Sequence, residues 1–151
     1  MQQKRMLPSP QILLVDDNEM DLELSEYALK KINRKVEILS FSNGRKVMDF
    51  LNVKAKLNLN SIGLMILDLN MPLMDGFDVL EDLYRLKINS FPVIILSSSN
   101  LNEDQSRARQ LGATSFHQKP FGYIETIEFF SEILKEYLPN FINSPIKFPT
   151  S

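Results

Sequence analysis

The chain contains short aliphatic runs that each end in a polar residue, and this pattern restricts the fold more than any other feature. Three runs show it most clearly: residues 12–15 lead into Asp16 and Asp17, residues 64–67 into Asp68, and residues 93–96 into Ser97. A fourth and more polar segment, residues 114–118, leads into Lys119 and Pro120. If all four are parallel strands, their polar ends lie together at one edge of a sheet, where open α/β folds bind their ligands.

The aliphatic runs alternate with segments of helical period, which is typical of β-α-β units and a parallel sheet. In chain order the pattern predicts β1 at 11–15, α1 at 19–33, β2 at 35–41, α2 at 44–56, β3 at 62–67, α3 at 76–87, β4 at 91–96, α4 at 103–111, β5 at 114–118 and α5 at 123–138. We expect Asn102 to cap α4 in a capping box with Gln105. Because α4 carries few apolar residues, it should be the most loosely held helix.

Composition along the strands predicts their order in the sheet. The predicted strands β1, β3 and β4 are unbroken aliphatic runs, as expected for strands buried on both faces, whereas β2 and β5 contain polar residues that suit an edge. With right-handed crossovers, this gives the order 2-1-3-4-5 and helices on both faces. The predicted fold class is therefore α/β, a doubly wound, flavodoxin-like (βα)5 parallel sheet.

Size and composition exclude several classes of protein. The 151 residues, of which 44% are hydrophobic, suit one domain that needs no disulfide for its stability. The chain has no cysteine, which excludes thiolate metal sites and thiol nucleophiles and suits a reducing compartment. A formal net charge of -2 argues against a nucleic-acid surface, and no apolar run approaches the roughly 18 residues of a membrane span. We therefore expect a cytoplasmic protein with no direct DNA binding and no membrane association.

The polar residues at the predicted sheet edge suit phosphate chemistry. Each acid alone has an ordinary explanation, because Asp before a helix often acts as a cap and Asp in a loop often forms a turn. Three carboxylates in one cleft would repel one another, by about 4 kcal/mol for each pair near a protein surface. A hard divalent cation such as Mg²⁺ and the ammonium of Lys119 would neutralise them. With the Ser97 hydroxyl as donor and Asp68 as nucleophile, these groups match the parts used in phosphoryl transfer.

Four motifs then occur in order along the chain. They are Asp16-Asp17 after β1, Asp68-Leu69-Asn70-Met71-Pro72 with Asp75-Gly76 after β3, residues 92–97 at β4, and Lys119-Pro120-Phe121 after β5. Over about residues 10–138 the chain resembles the receiver domain of two-component response regulators, in particular stand-alone receivers similar to the chemotaxis response regulator. The resemblance implies that Asp68 accepts a phosphoryl group from a phosphohistidine of a partner protein.

The resemblance also implies the metal ligands, with Mg²⁺ as the cofactor. Asp17 and Asp68 would bind the ion directly together with the backbone carbonyl of Asn70, and Asp16 would act largely through water. From the residues alone, Asp16 and Asp17 can share the ion while Asp68 stands alone as the nucleophile, so the resemblance adds Asp68 and the Asn70 carbonyl as direct ligands.

The remaining implied roles concern catalysis and switching. Ser97 and Lys119 would act with the phosphoacceptor as catalytic residues, and Ser98 would leave room for phosphate to enter. Ser97 and Phe116 would form the switch that alters the α4-β5-α5 face. The family often has Thr and Tyr at these two positions. Ser keeps the hydroxyl and Phe keeps the ring, so the switch is expected to persist here. Partner recognition can differ, because Phe cannot hydrogen-bond to a partner.

The expected organisation is a single-domain regulator. Residues 1–9 should form a flexible extension, 10–138 the receiver domain and 139–151 a mobile tail, with no output domain. The expected partners are a sensor histidine kinase or a histidine phosphotransfer protein and a downstream protein, reached by the altered face or by phosphorelay. The protein would be a monomer or weak homodimer, and it would catalyse only its own phosphorylation and dephosphorylation.

The residues favour three alternative functions less. The first is a pure interaction protein in which the acidic site is a relic. The second is a phosphatase of the haloacid dehalogenase type, which requires Asp-x-Asp, whereas the residue two beyond Asp68 is Asn70. The third is a flavodoxin, which requires a Ser/Thr/Gly phosphate loop after β1 that this chain lacks.

Overall fold

A computed structural model describes residues 9–99 and 101–141 of the chain. Strands and helices alternate along the described residues. The elements are β1 Gln11–Val15, α1 Glu19–Ile32, β2 Glu37–Phe41, α2 Gly44–Ala55, β3 Ile62–Asp68, α3 Gly76–Arg85, β4 Val93–Ser97, α4 Asn102–Gln110, β5 Ser115–Gln118 and α5 Tyr123–Tyr137, followed by a 3₁₀ turn at Pro139–Phe141. The predicted fold class is confirmed.

The five strands form one parallel sheet in the order β2-β1-β3-β4-β5, as the composition of the strands predicts. In the central strands Leu14 lies beside Ile66 and Ile66 beside Ile94, and the register of β1 with β3 shifts once, between Gln11 and Ile12. All five residues of β4 are buried, whereas β2 and β5 carry exposed positions. The aliphatic strands therefore occupy the centre because only there are both of their faces covered.

The helices cover both faces of the sheet, and the two faces have separate hydrophobic cores. Successive strand residues point to opposite faces, so Leu13 and Leu14 belong to different cores. One core is closed by α2, α3 and, through Ala108, α4, and the other by α1 and α5. This arrangement leaves the carboxyl edge of the sheet free of covering helices, since the helices begin there after short loops.

Side chains that cap helix N-termini explain where three of the helices begin. Asn18, Asn43 and Asp75 each accept a hydrogen bond from a backbone N–H in the first turn of α1, α2 and α3. The predicted capping box at Asn102 is wrong: Leu101 is the N-cap residue of α4 and makes no side-chain cap bond, while Asn102 is the first helical residue. The helix therefore starts one residue earlier than the polar pattern indicates.

The two predicted terminal segments are only partly described. Residues 1–8 and 142–151 lie outside the described residues. Most of the predicted extension and tail therefore falls outside the described part of the chain. The first three residues of the predicted tail, Pro139–Phe141, form the 3₁₀ turn after α5. Within the described part of the chain, none of the helices combines the length and apolar character that crossing a bilayer requires.

Candidate functional site

The predicted site residues converge at the carboxyl edge of the sheet. Asp16 follows the last residue of β1, Asp68 is the last residue of β3, Ser97 is the last residue of β4, and Lys119 follows β5. The strand pairing brings them together, because neighbouring parallel strands end at nearly the same level. Residues that are up to 103 positions apart in the chain thus come into direct contact.

Three carboxylates form a compact acidic cluster. One oxygen from each of Asp16, Asp17 and Asp68 lies within 4.8 Å of the other two. Asp68 is only 4% exposed and Asp16 9%, whereas Asp17 is exposed. Hard oxygen donors at this spacing fit a divalent cation such as Mg²⁺, which is bound by carboxylates and also keeps water ligands.

Local backbone turns orient two of these carboxylates. One oxygen of Asp16 accepts a hydrogen bond from the backbone N–H of Asn18 at 2.9 Å, and one oxygen of Asp68 accepts from the N–H of Asn70 at 3.2 Å. In both residues the second oxygen, Oδ2, lies near the ammonium of Lys119. Each carboxylate therefore has a fixed direction before any ligand binds.

Lys119 pairs with more carboxylates than the sequence predicts. Its Nζ lies 2.9 Å from Asp16 Oδ2, 3.0 Å from Asp21 Oδ2 and 3.5 Å from Asp68 Oδ2. Burial alone lowers the pKa of Lys119, but the hydrogen bonds to Asp16 and Asp21 and the charge of Asp68 outweigh burial and raise it. Lys119 is therefore a permanent cation, and Asp21 is a site residue that sequence reasoning missed.

The ionisation of Asp68 is strongly perturbed. Burial, followed by the negative charge of Asp16, raises the pKa of Asp68 from 3.8 to about 7, although Lys119 and the Asn70 N–H act in the opposite direction. Burial disfavours the charged form because the carboxylate loses water. A positive charge added to the cluster would restore the ionised, nucleophilic form.

Ser97 is fully buried and belongs to a small hydrogen-bond network. Its hydroxyl oxygen accepts from the side-chain amide of Asn70 at 3.3 Å and from the backbone N–H of Ser99 at 3.1 Å, and it lies 3.2 Å from the Ser99 hydroxyl. The network joins the loop after β3 to the loop after β4. The side-chain bond from Asn70 was not predicted, and the predicted role of its backbone carbonyl stays a prediction.

The other predicted residues lie at the edges of the site. Ser98 is exposed and lines a cavity of about 400 Å³ together with Asp16, Asp21, Lys119 and Phe121. Phe116 is partly buried and packs against the core on the α2–α3 side of the sheet. The structure thus provides open space next to Lys119 and places the predicted switch ring on β5.

Sequence comparisons show what the chain is similar to. A family model described as the response regulator receiver domain matches residues 12–130. The probable methanogenesis regulatory protein FilR2 of Methanothrix harundinacea is 28% identical over 135 residues, covering 89% of this chain and 86% of that protein. The two-component response regulator ARR17 of Arabidopsis thaliana is 33% identical over 116 residues, covering 72% of this chain and 74% of that protein. The chain spans about half the length of the ORR1 regulators of rice, which it also matches.

Solved structures show the same architecture. The phosphorylated cyanobacterial phytochrome response regulator RcpA superimposes with a TM-score of 0.77 at 25% identity, covering 87% of this chain and 96% of that chain. This likeness covers the sheet and the helices on both of its faces.

Proposed function

Because the chain belongs to the response regulator receiver domain family, we propose that it accepts a phosphoryl group on Asp68 from a phosphohistidine of a sensor kinase or histidine phosphotransfer protein. Family membership makes it a phosphoacceptor signalling protein of a two-component system. The single observation that carries the assignment to Asp68 is its position in the acidic cluster, with Lys119 3.5 Å away.

The proposed reaction is a displacement at phosphorus. A carboxylate oxygen of Asp68 forms a bond to phosphorus while the bond from phosphorus to the imidazole nitrogen breaks, and the electron pair leaves with the imidazole. Lys119 stabilises the negative charge on the phosphoryl oxygens, and the Ser97 hydroxyl donates to one of them. Hydrolysis of the same acyl phosphate would return Asp68 to its starting state, so the protein acts catalytically only on itself.

The acidic cluster supports Mg²⁺ dependence. Asp16, Asp17 and Asp68 would hold the ion, with the backbone carbonyl of Asn70 as a further ligand. When bound, the ion supplies positive charge that neutralises the carboxylates and the transferring phosphoryl oxygens. Asp16 is already directed by its bond from the Asn18 N–H, which supports a role as a preorganised ligand.

We propose that phosphorylation alters the α4-β5-α5 face for recognition by a downstream protein or for onward phosphorelay. Ser97 lies at the start of the loop that leads to α4, and Phe116 lies on the neighbouring strand β5, opposite Ile95. Movement of the Ser97 hydroxyl toward the phosphoryl group would disturb its bonds to Asn70 and Ser99. The ring of Phe116 would then turn inward into the space that the loop vacates.

The remaining assignments follow from this function. We propose a cytoplasmic protein, monomeric or weakly dimeric, that contacts its phosphodonor at the carboxyl edge of the sheet. The phosphodonor must reach Asp68, and Ser98 at the rim leaves space for it. Direct DNA binding is not part of the proposal, because a net charge of -2 argues against a dedicated nucleic-acid surface.

Phosphorylation by a small acyl phosphate tests the assignment of Asp68. The wild type is incubated with a ³²P-labelled acyl phosphate and Mg²⁺, and we expect acid-stable, hydroxylamine-labile label on the protein. The variant Asp68→Asn should lose this label, because an amide oxygen is not an adequate nucleophile. Asp49→Asn, an exposed and distant Asp on α2, is the matched control and should label normally. Equal labelling of Asp68→Asn and the wild type would show that the site is assigned wrongly.

A further inference from the structure

We propose that Asp21 is a positioning residue that holds Lys119 back in the unphosphorylated protein and thereby slows phosphoryl acceptance. This inference rests on the proposed function, since it concerns the cation that stabilises the phosphoryl group on Asp68. It assigns a role in the reaction to a residue on α1, outside the acidic cluster formed by Asp16, Asp17 and Asp68.

The distances show where the ammonium of Lys119 is directed. An ammonium has three N–H donors, and charge-assisted bonds from it to carboxylates are typically about 2.7–2.9 Å long. The two short contacts of Lys119 go to Asp16 and Asp21, at 2.9 and 3.0 Å, and both are hydrogen bonds. The contact to Asp68 is longer, at 3.5 Å. Of the three carboxylates, the proposed phosphoacceptor Asp68 therefore has the weakest interaction with Lys119.

Asp21 is a fixed acceptor. Its backbone N–H donates to the side chain of the N-cap residue Asn18 at 3.1 Å, so its position in the first turn of α1 is set by the cap. The positive end of the helix dipole favours a carboxylate there. The side chain of Asp21 is 42% exposed, so its charge keeps part of its hydration while it pairs with Lys119. Asp21 can therefore compete with Asp68 for the ammonium of Lys119 without a large desolvation penalty.

Phosphorylation of Asp68 changes this competition. A phosphoryl group brings new oxygens and additional negative charge to the side of Lys119 that faces Asp68. For Lys119 to donate a short bond to these oxygens, its bond to Asp21 must lengthen or break. The carboxylate of Asp21 also repels the incoming phosphoryl anion. Both effects have the same sign, so neutralising Asp21 should accelerate phosphorylation.

The test compares Asp21→Asn with a matched charge control. Glu19→Gln removes the same charge from the same turn of α1, but Glu19 is exposed and is not one of the three carboxylates that pair with Lys119. With a small acyl phosphate at saturating Mg²⁺, we expect Asp21→Asn to label about three to five times faster than the wild type. Glu19→Gln should stay within about a factor of two. Asp21→Glu, which retains a carboxylate within reach of Lys119, should restore a rate near that of the wild type.

A second measurement separates positioning from a purely structural role. Beryllofluoride, a mimic of the acyl phosphate, should bind several-fold more tightly to Asp21→Asn at saturating Mg²⁺. A loss of helix stability would lower the unfolding midpoint without tightening this binding. An unchanged or lower rate and affinity in Asp21→Asn, or an equal gain in Glu19→Gln, would overturn the inference. A wild type without label, or Asp68→Asn with normal label, would instead overturn the proposed function on which the inference depends.

Discussion

At the scale of single residues, the site contains more negatively charged carboxylates than the one ammonium of Lys119 can neutralise. Lys119 pairs with three carboxylates, while Asp17 adds a fourth acidic group to the same edge. The most buried of these acids, Asp68, is also the one with the longest contact to the cation. The fold therefore keeps Asp68, the proposed phosphoacceptor, in a state that a bound cation or a phosphoryl group can change.

The raised pKa of Asp68 predicts how stability depends on pH. In the unfolded chain this carboxyl ionises near its ordinary pKa of 3.8, whereas in the folded protein the pKa is about 7 because of burial and the charge of Asp16. The folded state thus holds a proton that the unfolded state has lost between these pH values. The contribution of Asp68 to the free energy of unfolding is fully present below pH 3.8. It decreases as the pH rises and is lost above about pH 7.

Replacing the ionisable group should therefore stabilise the protein most at alkaline pH. We expect Asp68→Asn to raise the free energy of unfolding by about 1–3 kcal/mol at pH 8, without divalent cations, and by clearly less at pH 5. Urea unfolding in EDTA at the two pH values measures this, with Asp49→Asn as the exposed control. A gain that is the same at both pH values would contradict the perturbed pKa.

The residues of the site differ in how far the sequence could predict them. Asp16, Asp68, Ser97 and Lys119 were predictable because they directly follow or end strands, and parallel strand ends meet at one edge. Asp21 was not, because its contact depends on how α1 is rotated and packed on the sheet, and 98 positions separate it from Lys119. The periodicity of one helix carries no information about a distant loop.

At the scale of elements, the loop between β3 and α3 packs closely at Gly76. A Cβ atom at this position would lie 2.7 Å from the carbonyl oxygen of Asp68 and 2.8 Å from Cα of Leu69. The backbone N–H of Gly76 also donates to the Leu69 carbonyl at 2.9 Å. The start of α3 therefore packs directly against the backbone of Asp68 and Leu69, and only a residue without a side chain fits.

This contact reverses the usual preference for alanine in a helix. Alanine normally stabilises a helix relative to glycine by about 1 kcal/mol, but Gly76→Ala should destabilise the protein by about 2–3 kcal/mol because backbone atoms must shift. It should also slow labelling of Asp68, since the displaced atoms belong to that residue. Gly112→Ala is the contrast: its Cβ would meet nothing within 4 Å, although φ is +100°. It should cost less stability and leave labelling unchanged, and a neutral Gly76→Ala would contradict the close packing.

The element boundaries were predictable to within two residues, and the deviations have local causes. Helix α3 ends at Arg85, two residues before the predicted end, because Lys87 adopts a left-handed conformation with φ 58°. A glycine would have marked this turn in the sequence, but a lysine does not. At α4 the polar residue Asn102 suggested a cap, whereas the apolar Leu101 holds that position. Both errors arise where an uncommon residue type occupies the position, a lysine with positive φ in one case and a leucine at an N-cap in the other.

At the scale of the whole molecule, the helices are held unequally, even where they pack against the same core. Helix α3 buries five residues against the core, whereas α4 buries only Ala108 and starts without a side-chain cap. The loop that leads to α4 begins at Ser97, which is tied to the site by its hydrogen bond from Asn70. In the proposed switch, a change at the acidic cluster would reach α4 through Ser97 and this loop.

Amide hydrogen exchange can test this distribution of stability and the proposed switch together. Because few buried contacts hold α4, its amides should exchange about ten times faster than those of α3 under native conditions. With Mg²⁺ and beryllofluoride, exchange should change in α4 and β5, while α2, which is not part of the proposed switch face, should keep its rate. Asp68→Asn should show no response to the same additions. Equal protection of α3 and α4 would contradict a switch centred on α4, since the stability difference that makes α4 the moving element would then be absent. A response spread evenly over all helices would contradict it as well.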